Sequence, residues 1–487
     1  MFEPRIIEFH LSRVQKEIGE NLTLANSYFR LVKPIEENLN RYSNLVTTAK
    51  FTILLNLLYS PFRIFFEVLK SIAIATVKSR ESASFDSSLD LQVNRIFVSH
   101  YTHAQNPLKP DVFFDQLPAQ DDLIFYHNNT WLNRQRIIHI LSRGAFRPNT
   151  IVTTKSLGVW QTVLLQWKNL RISLVMLRAA LTSRRFSQIE RNILIRASSA
   201  QVSRQTVANQ VNLERLDSVL SANNPRSILI TLEGHAYEAL YIDLIHRKYP
   251  DIQLMAFQHA PIVPEQFGLM KNLLQLNSGD VVLTSGEITK DYFRSLNLKA
   301  NVRLLGSPKW RPMVAEQKNY APTTILGAAE GTLESLESFA KLFQGLNEMD
   351  LGLKLILRVH PALSSKESAR VLSRLHFGKQ LILSDRQLDE DLKDSHFCIY
   401  RSSAVAIEGL AYGVYPLFFN PAGDQGLNPL YFAKLEVPVF RNLSEFRELF
   451  LNLRGLKSNS EGRHNDELTR IGSTYYSQLD PGVLDRL

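Results

Sequence analysis

From Arg95 onward, short apolar runs that end in polar residues alternate with longer stretches of helical spacing. The runs Ile96-Phe97-Val98, Leu123–Tyr126, Thr150–Val152, Ser227–Leu232, Gln253–Phe257 and Val281–Leu283 are rich in β-branched and aromatic residues, a pattern that predicts strands. A long helical stretch is expected between the third and fourth. After Gly306-Ser307-Pro308 a second series begins with Thr323–Leu326, Lys354–Val359, Gln380–Leu383, Phe397–Tyr400 and Val414–Phe419. Helical intervals separate these, notably Thr332–Leu346 and Ala404–Tyr412. Strands alternating with helices predict parallel sheets. The fold class read from the pattern is α/β, with two Rossmann-like doubly wound domains in tandem.

Residues 1–90 carry a different pattern and predict an N-terminal helical segment, with apolar spacing at Ile6–Ile18 and Phe51–Val77. Pro61, Arg63, Glu67 and Lys70 interrupt the second of these, whereas a spanning helix needs about 20 mostly apolar residues. Two amphipathic helices, Thr48–Tyr59 and Pro61–Lys78, are expected instead, packed on the body or lying on a membrane surface. The polar stretch Ser79–Ser88 reads as a linker. The expected units are therefore 1–90, 91–308 and 309–487.

Composition narrows the picture. A chain of 487 residues, 45% hydrophobic, buries a large core but is too long for one ordinary domain. Its one cysteine, Cys398, sits in an apolar run, which excludes an internal disulfide and a cysteine zinc site. The charged N-terminal stretch does not resemble a secretory signal, so a cytoplasmic location is expected, with peripheral membrane contact as an option. The net charge of +9 is partly local. Between Trp160 and Ala200, Lys168, Arg171, Arg178, Arg184, Arg185, Arg191 and Arg196 stand against the single acid Glu190, with Leu, Ile, Val and Trp167 interleaved. Such a basic amphipathic region suits an anionic membrane surface or a phosphorylated acceptor. No nucleic-acid-binding motif accompanies it, so no nucleic-acid partner is expected.

In open parallel sheets, ligands bind beyond the carboxyl ends of strands, so residues there are the candidates for chemistry. Glu233-Gly234-His235 follows one such strand and Tyr237-Glu238 comes next. A carboxylate at a strand tip is placed to act as general base toward an acceptor hydroxyl, or to complement a helix dipole. His259 ends the following strand and His100 ends the first, which makes both, with Glu238, candidates for the acceptor side. In the second series, Arg358-Val359-His360-Pro361 places an imidazole where proline stops the strand. Tyr400-Arg401-Ser402-Ser403 leads into a helix whose start would bind an anion, with Glu408 further along for a ribose. Asp389-Glu390-Asp391 lies in a polar stretch that reads as a helix start, so no metal is expected.

The combination of an acidic-Gly pair, a His-Pro and a Ser-Ser resembles the motif set of bacterial sialyltransferases and related Kdo and surface-carbohydrate transferases. That resemblance, spanning about Arg95 to Phe419, implies a GT-B fold with two domains facing a central cleft. It implies Glu233 as catalytic base in the acceptor domain 91–308, with Leu232 standing where a second acid is usual. In the nucleotide-sugar domain 309–487 it implies His360, as phosphate partner and general acid, and Ser402 and Ser403, as the phosphate-binding pair, around a CMP-linked donor. Leu304–Lys309 resembles the interdomain crossing of capsule and teichoic-acid transferases, which brings Lys309 toward the donor, and Ala328-Ala329-Glu330-Gly331 would be the loop beside the nucleotide. The function expected is metal-independent, cofactor-free transfer of a sugar, Kdo or sialic-acid-like, to a surface-polysaccharide or lipid-linked acceptor such as lipopolysaccharide or capsule. The alternatives are a CDP-glycerol-type polyol-phosphate transferase and a non-catalytic polysaccharide-assembly protein on a degenerate frame.

Overall fold

The computed structural model describes residues 93–101, 114, 117–118, 121–128, 150–152, 159–183, 185–264, 266–312, 324–349, 351–361, 363, 365–373, 375, 380–421, 427–455 and 461–487. The helical segment expected over 1–90 lies outside the described residues.

The first sheet has seven strands, β1 (Arg95–Tyr101), β2 (Leu123–Asn128), β3 (Thr150–Val152), β4 (Ser227–Thr231), β5 (Gln253–Gln258), β6 (Val281–Thr284) and β7 (Asn301–Leu304), in the order β3-β2-β1-β4-β5-β6-β7. The second has six, β8 (Thr324–Ala328), β9 (Lys354–Arg358), β10 (Leu381–Leu383), β11 (Phe397–Tyr400), β12 (Tyr415–Phe419) and β13 (Val439–Phe440), in the order β10-β9-β8-β11-β12-β13. Every pairing in both is parallel. Two Rossmann-like doubly wound units result, which is the GT-B architecture. In each, the strand order reverses once, between β1 and β4 and between β8 and β11.

Between β3 and β4 lie α1 (Val159–Thr182), α2 (Gln188–Gln201) and α3 (Arg204–Asn223), and then α4 (Ala236–Lys248), α5 (Phe267–Gln275) and α6 (Glu287–Ser295) alternate with the remaining strands. The second unit holds α7 (Leu333–Glu348), α8 (Ser365–Leu372), α9 (Leu388–Asp394), α10 (Val405–Leu410), α11 (Leu443–Gly455) and α12 (Glu461–Tyr475). A last turn, α13 (Gly482–Asp485), ends the chain. Local chemistry sets several boundaries. The Ser203 hydroxyl accepts from the Thr206 N–H at the start of α3, which stops at left-handed Asn224, and the Thr332 hydroxyl accepts from Ser335 N–H at the start of α7.

All five residues of β4 are buried, and so are all four of β6 and of β11, because helices cover both faces of a parallel sheet. β7 and β13 were not among the expected strands. β7 alternates between exposed and buried positions at the sheet edge, and β13 has only two residues, so neither produces an apolar run.

The chain leaves the first sheet through Leu305–Lys309 and comes back beside this crossing at its end. Ser307 N–H donates to Ser477 O at 2.9 Å, Ser477 N–H to Ser285 O at 2.9 Å, and Asp480 N–H to Leu305 O at 2.9 Å. Gly306 has φ +89°, and a Cβ there would overlap the backbone of Gln478 and Leu479. Tyr475 and Tyr476 belong to the core of the second domain, whereas Leu479, Val483, Leu484 and Leu487 pack with Phe97, Phe114, Phe257 and Leu305 in the first. The C-terminal residues, expected with unit 309–487, therefore finish on the first domain, where their apolar side chains close the underside of its sheet. Leu484→Ala, although near the C-terminus, should cost the first domain about 2–4 kcal/mol through the lost packing. The midpoint of denaturant unfolding, followed by circular dichroism, checks this.

Candidate functional site

Strand register explains which candidates meet. Thr231 of β4 pairs with Phe257 of β5, so Glu233 and His259 leave adjacent strands at the same level, two residues beyond that pair. The Glu233 carboxylate lies between two imidazoles, with His259 Nε2 2.5 Å from one oxygen and His235 Nε2 2.7 Å from the other. Both histidine side chains are nearly closed off, at 6% and 7% exposure, while Glu233 keeps 18% and is the member open to a substrate. Burial opposes its charge, but the imidazoles of His259 and His235 outweigh burial and hold the Glu233 carboxyl well below the usual carboxylate range.

The loop carrying Glu233 is held from beneath. Glu238, in the first turn of α4, accepts the N–H of Glu233 at 2.9 Å, of Gly234 at 2.8 Å and of His235 at 2.9 Å, and Asn272 Nδ2 donates to it at 2.9 Å. Burial pushes the Glu238 pKa up, to about 8; the backbone N–H groups pull it down, and the Glu233 charge adds to the rise. Glu238 is fully buried and its oxygens are committed to this loop, so the acceptor-side place expected for it gives way to a structural one. Gly234 has φ +85° and lies against the backbone of Gly268 and Leu269, where a Cβ would overlap. His100 is the last residue but one of β1, opposite His127 of β2 and one strand away from the Glu233 loop.

The second sheet repeats the arrangement. Arg358, Ala328 and Tyr400 pair across β9, β8 and β11, so His360, Glu330 and Ser402 leave three neighbouring strands at one level. His360 and Pro361 are exposed. The Arg401 side chain, 9% exposed, lies beside Glu330, with Nε 3.7 Å from a carboxylate oxygen. Ser402 is half-buried and Ser403 buried, and the Ser403 hydroxyl accepts from Val405 N–H at 3.3 Å. The helix expected over Ala404–Tyr412 has only the six residues of α10, with Ala404 at its cap, so this pair borders a tight turn and not a long helix dipole. Gly331 follows Glu330 in the loop leading to α7.

Arg358 departs from expectation. Its guanidinium is ion-paired with buried Asp391 and donates to Arg386 O at 2.9 Å, so it ties β9 to α9 and is not free to meet a phosphate. The acidic run Asp389-Glu390-Asp391 forms the first turn of α9, with Asp389 bound to Arg311 at 3.2 Å. Among the described residues, no group of His, Cys, Asp and Glu is arranged to hold a metal ion. Lys309, at the interdomain crossing, comes near Glu408 of α10 and lies 5.9 Å from the Tyr476 ring centroid. Burial raises the Glu408 pKa, against the charges of Lys309 and Arg311.

Sequence reasoning missed His235 and Arg401 as site residues, although both stood within the segments quoted. The available signal was position: each is a charged or titratable residue within four places of a strand tip.

Because folding lowers the Glu233 pKa below its ordinary 4.5, the ionised side chain contributes stability that is complete above that value and lost as pH falls through the lowered one. The stability gap between the parent protein and Glu233→Gln should therefore stay wide at neutral pH and narrow only below about pH 4.5. Urea melts at stepped pH check this, and a gap that closes already near neutrality would contradict it.

No protein-family model matches the chain, and no curated protein matches it in sequence. Solved structures are similar in fold. The UDP-GlcNAc 2-epimerase from Neisseria meningitidis bound to UDP-GlcNAc matches at TM-score 0.46 and 12% identity, over 80% of this chain and 98% of that one. The UDP-GlcNAc 2-epimerase from Methanocaldococcus jannaschii matches at TM-score 0.43 and 10% identity, over 77% and 99%. The glycosyltransferase SnogD from Streptomyces nogalater matches at TM-score 0.42 and 12% identity, over 81% and 98%.

Proposed function

We propose that this protein is a metal-independent glycosyltransferase that takes a sugar from a nucleotide donor, with the acceptor on the first domain and the donor on the second. One observation carries the reading. Beside the strand-order reversal of each sheet, polar candidates leave adjacent strands at one level: in the first, Glu233 follows β4, which borders the reversal, with His259 after the next strand β5; in the second, Glu330 and Ser402 follow β8 and β11 on either side of the reversal, with His360 after the next strand β9. Ligands of open parallel sheets bind at such reversals.

On this reading, Glu233 accepts a hydrogen bond from the acceptor hydroxyl. A carboxylate held so acidic is a weak base, so the proton moves to it late, once the new bond to the anomeric carbon has made the hydroxyl acidic. The nucleotide phosphate leaves with the electron pair of the broken bond. Arg401, His360 and the Ser402 and Ser403 hydroxyls stabilise the charge on it, and Lys309 supports them from the crossing. Glu330 lies beside Arg401, and the loop Ala328–Gly331 that carries it borders the nucleotide. A CMP-linked donor and a surface-glycan or lipid-linked acceptor remain the substrate classes that the motif resemblance favours.

Glu233→Gln should lower transfer by about 10²–10⁴-fold and leave nucleotide binding intact. Arg401→Ala should weaken nucleotide binding by about tenfold or more, as for a lost charged contact. A thermal-shift panel of CMP, CDP and UDP, followed by mass spectrometry of products from the corresponding donors, tests both. Loss of nucleotide binding in Glu233→Gln would refute the division of roles between the domains.

A further inference from the structure

Helix α1 turns an apolar stripe outward. Its inward face carries the polar Thr162, Gln166, Asn169 and Ser173 beside Met176 and Ala180, all buried. Polar side chains bond across the bundle. Asn169 Nδ2 donates to Gln210 Oε1 at 3.0 Å, Gln201 Nε2 donates to Asn169 Oδ1 at 3.0 Å, and the Ser173 hydroxyl donates to Ser198 O at 2.8 Å. The outward face carries Trp160, Leu164, Trp167, Leu174, Val175 and Leu181, between 51% and 79% exposed. At 3.6 residues per turn these fall within about 120° of arc, with exposed Arg171 and Arg178 inside the same stripe and Lys168 at its margin. The helix contains no Asp or Glu. Glu214 of α3 lies near Lys168, which leaves the two arginines as the charges of the stripe.

We propose that this face of α1 docks on an anionic phospholipid bilayer, lying in the plane of the membrane without crossing it. A large apolar stripe is unfavourable in water, and a buried polar network fixes which side of the helix is left to meet a partner. The tryptophans suit the boundary between headgroups and acyl chains, where the ring is buried and the indole N–H stays wet. Arg171 and Arg178 meet lipid phosphates beside them. A second copy of the chain fits less well, because a symmetric contact would bring the same uncompensated arginines face to face. Among the described residues no helix is long and apolar enough to span a bilayer, so the contact is one of adsorption. The inference stands apart from the transferase reading and survives if that reading fails.

The test uses the full chain with vesicles of phosphatidylcholine alone and of phosphatidylcholine mixed with phosphatidylglycerol. Co-sedimentation with the mixed vesicles only, weakened by added salt, is expected, with a blue shift of tryptophan emission. The double variant Arg171→Glu, Arg178→Glu should lower partitioning by about 25-fold or more, since each basic residue at an anionic surface contributes roughly fivefold. Trp160→Ser with Trp167→Ser should lower it at least tenfold while circular dichroism and the melting midpoint stay unchanged, because both side chains are exposed. Three results would overturn the proposal. They are no binding to mixed vesicles, binding that survives both double variants and so belongs to another segment of the chain, and a dimer by light scattering that the tryptophan variant converts to a monomer.

Discussion

A buried carboxyl group that accepts three consecutive backbone N–H groups governs the first domain's site. Without Glu238, the N–H groups of Glu233, Gly234 and His235 would face a closed interior with no acceptor, at a cost of about 1–3 kcal/mol each. With it, the loop is fixed in one conformation, and Gly234, which has no Cβ, lets that loop rest on the start of α5. This anchoring fixes the backbone of Glu233 and His235, and the contacts of their side chains with each other and of Glu233 with His259 complete the arrangement. His259 needs no such anchor, because strand register brings it alongside.

The two sheets solve the same problem with different chemistry. In the first, the half-buried Glu233 is an anion whose charge two imidazoles secure. In the second, the buried group is a cation, Arg401, that an acid holds from one side. On the proposed transferase reading, a hydroxyl losing a proton and a phosphate gaining charge call for opposite partners, and the strands bordering the two reversals carry one of each. The polar face of α1 follows a related logic, since buried side-chain hydrogen bonds, beside Met176 and Ala180, hold the helix with its apolar stripe outward.

Much of this was legible in the sequence wherever one local cause was enough. Runs such as Ser227–Leu232 and Phe397–Tyr400 marked strands because burial on both faces demands continuous apolar residues. Candidates at strand tips followed directly, and Glu233, His360 and Ser402 all lie there. Features that depend on distant partners could not be read. Glu238 and Arg358 looked like site groups until Asn272, the Glu233 loop and Asp391 were seen to occupy them. Arg401 was hidden by the serines after it. The return of Leu484 to the first core has no local signature, because a short apolar run near a chain end fits either domain.

That return has a mechanical consequence. The outgoing segment at Ser307 and the incoming one at Ser477 are hydrogen-bonded side by side, so two strands of chain, and not one, join the domains. A single connection is a swivel. A paired one resists torsion, and the contact of Tyr292 of α6 with Phe432, ring centroids 4.2 Å apart, braces the same junction.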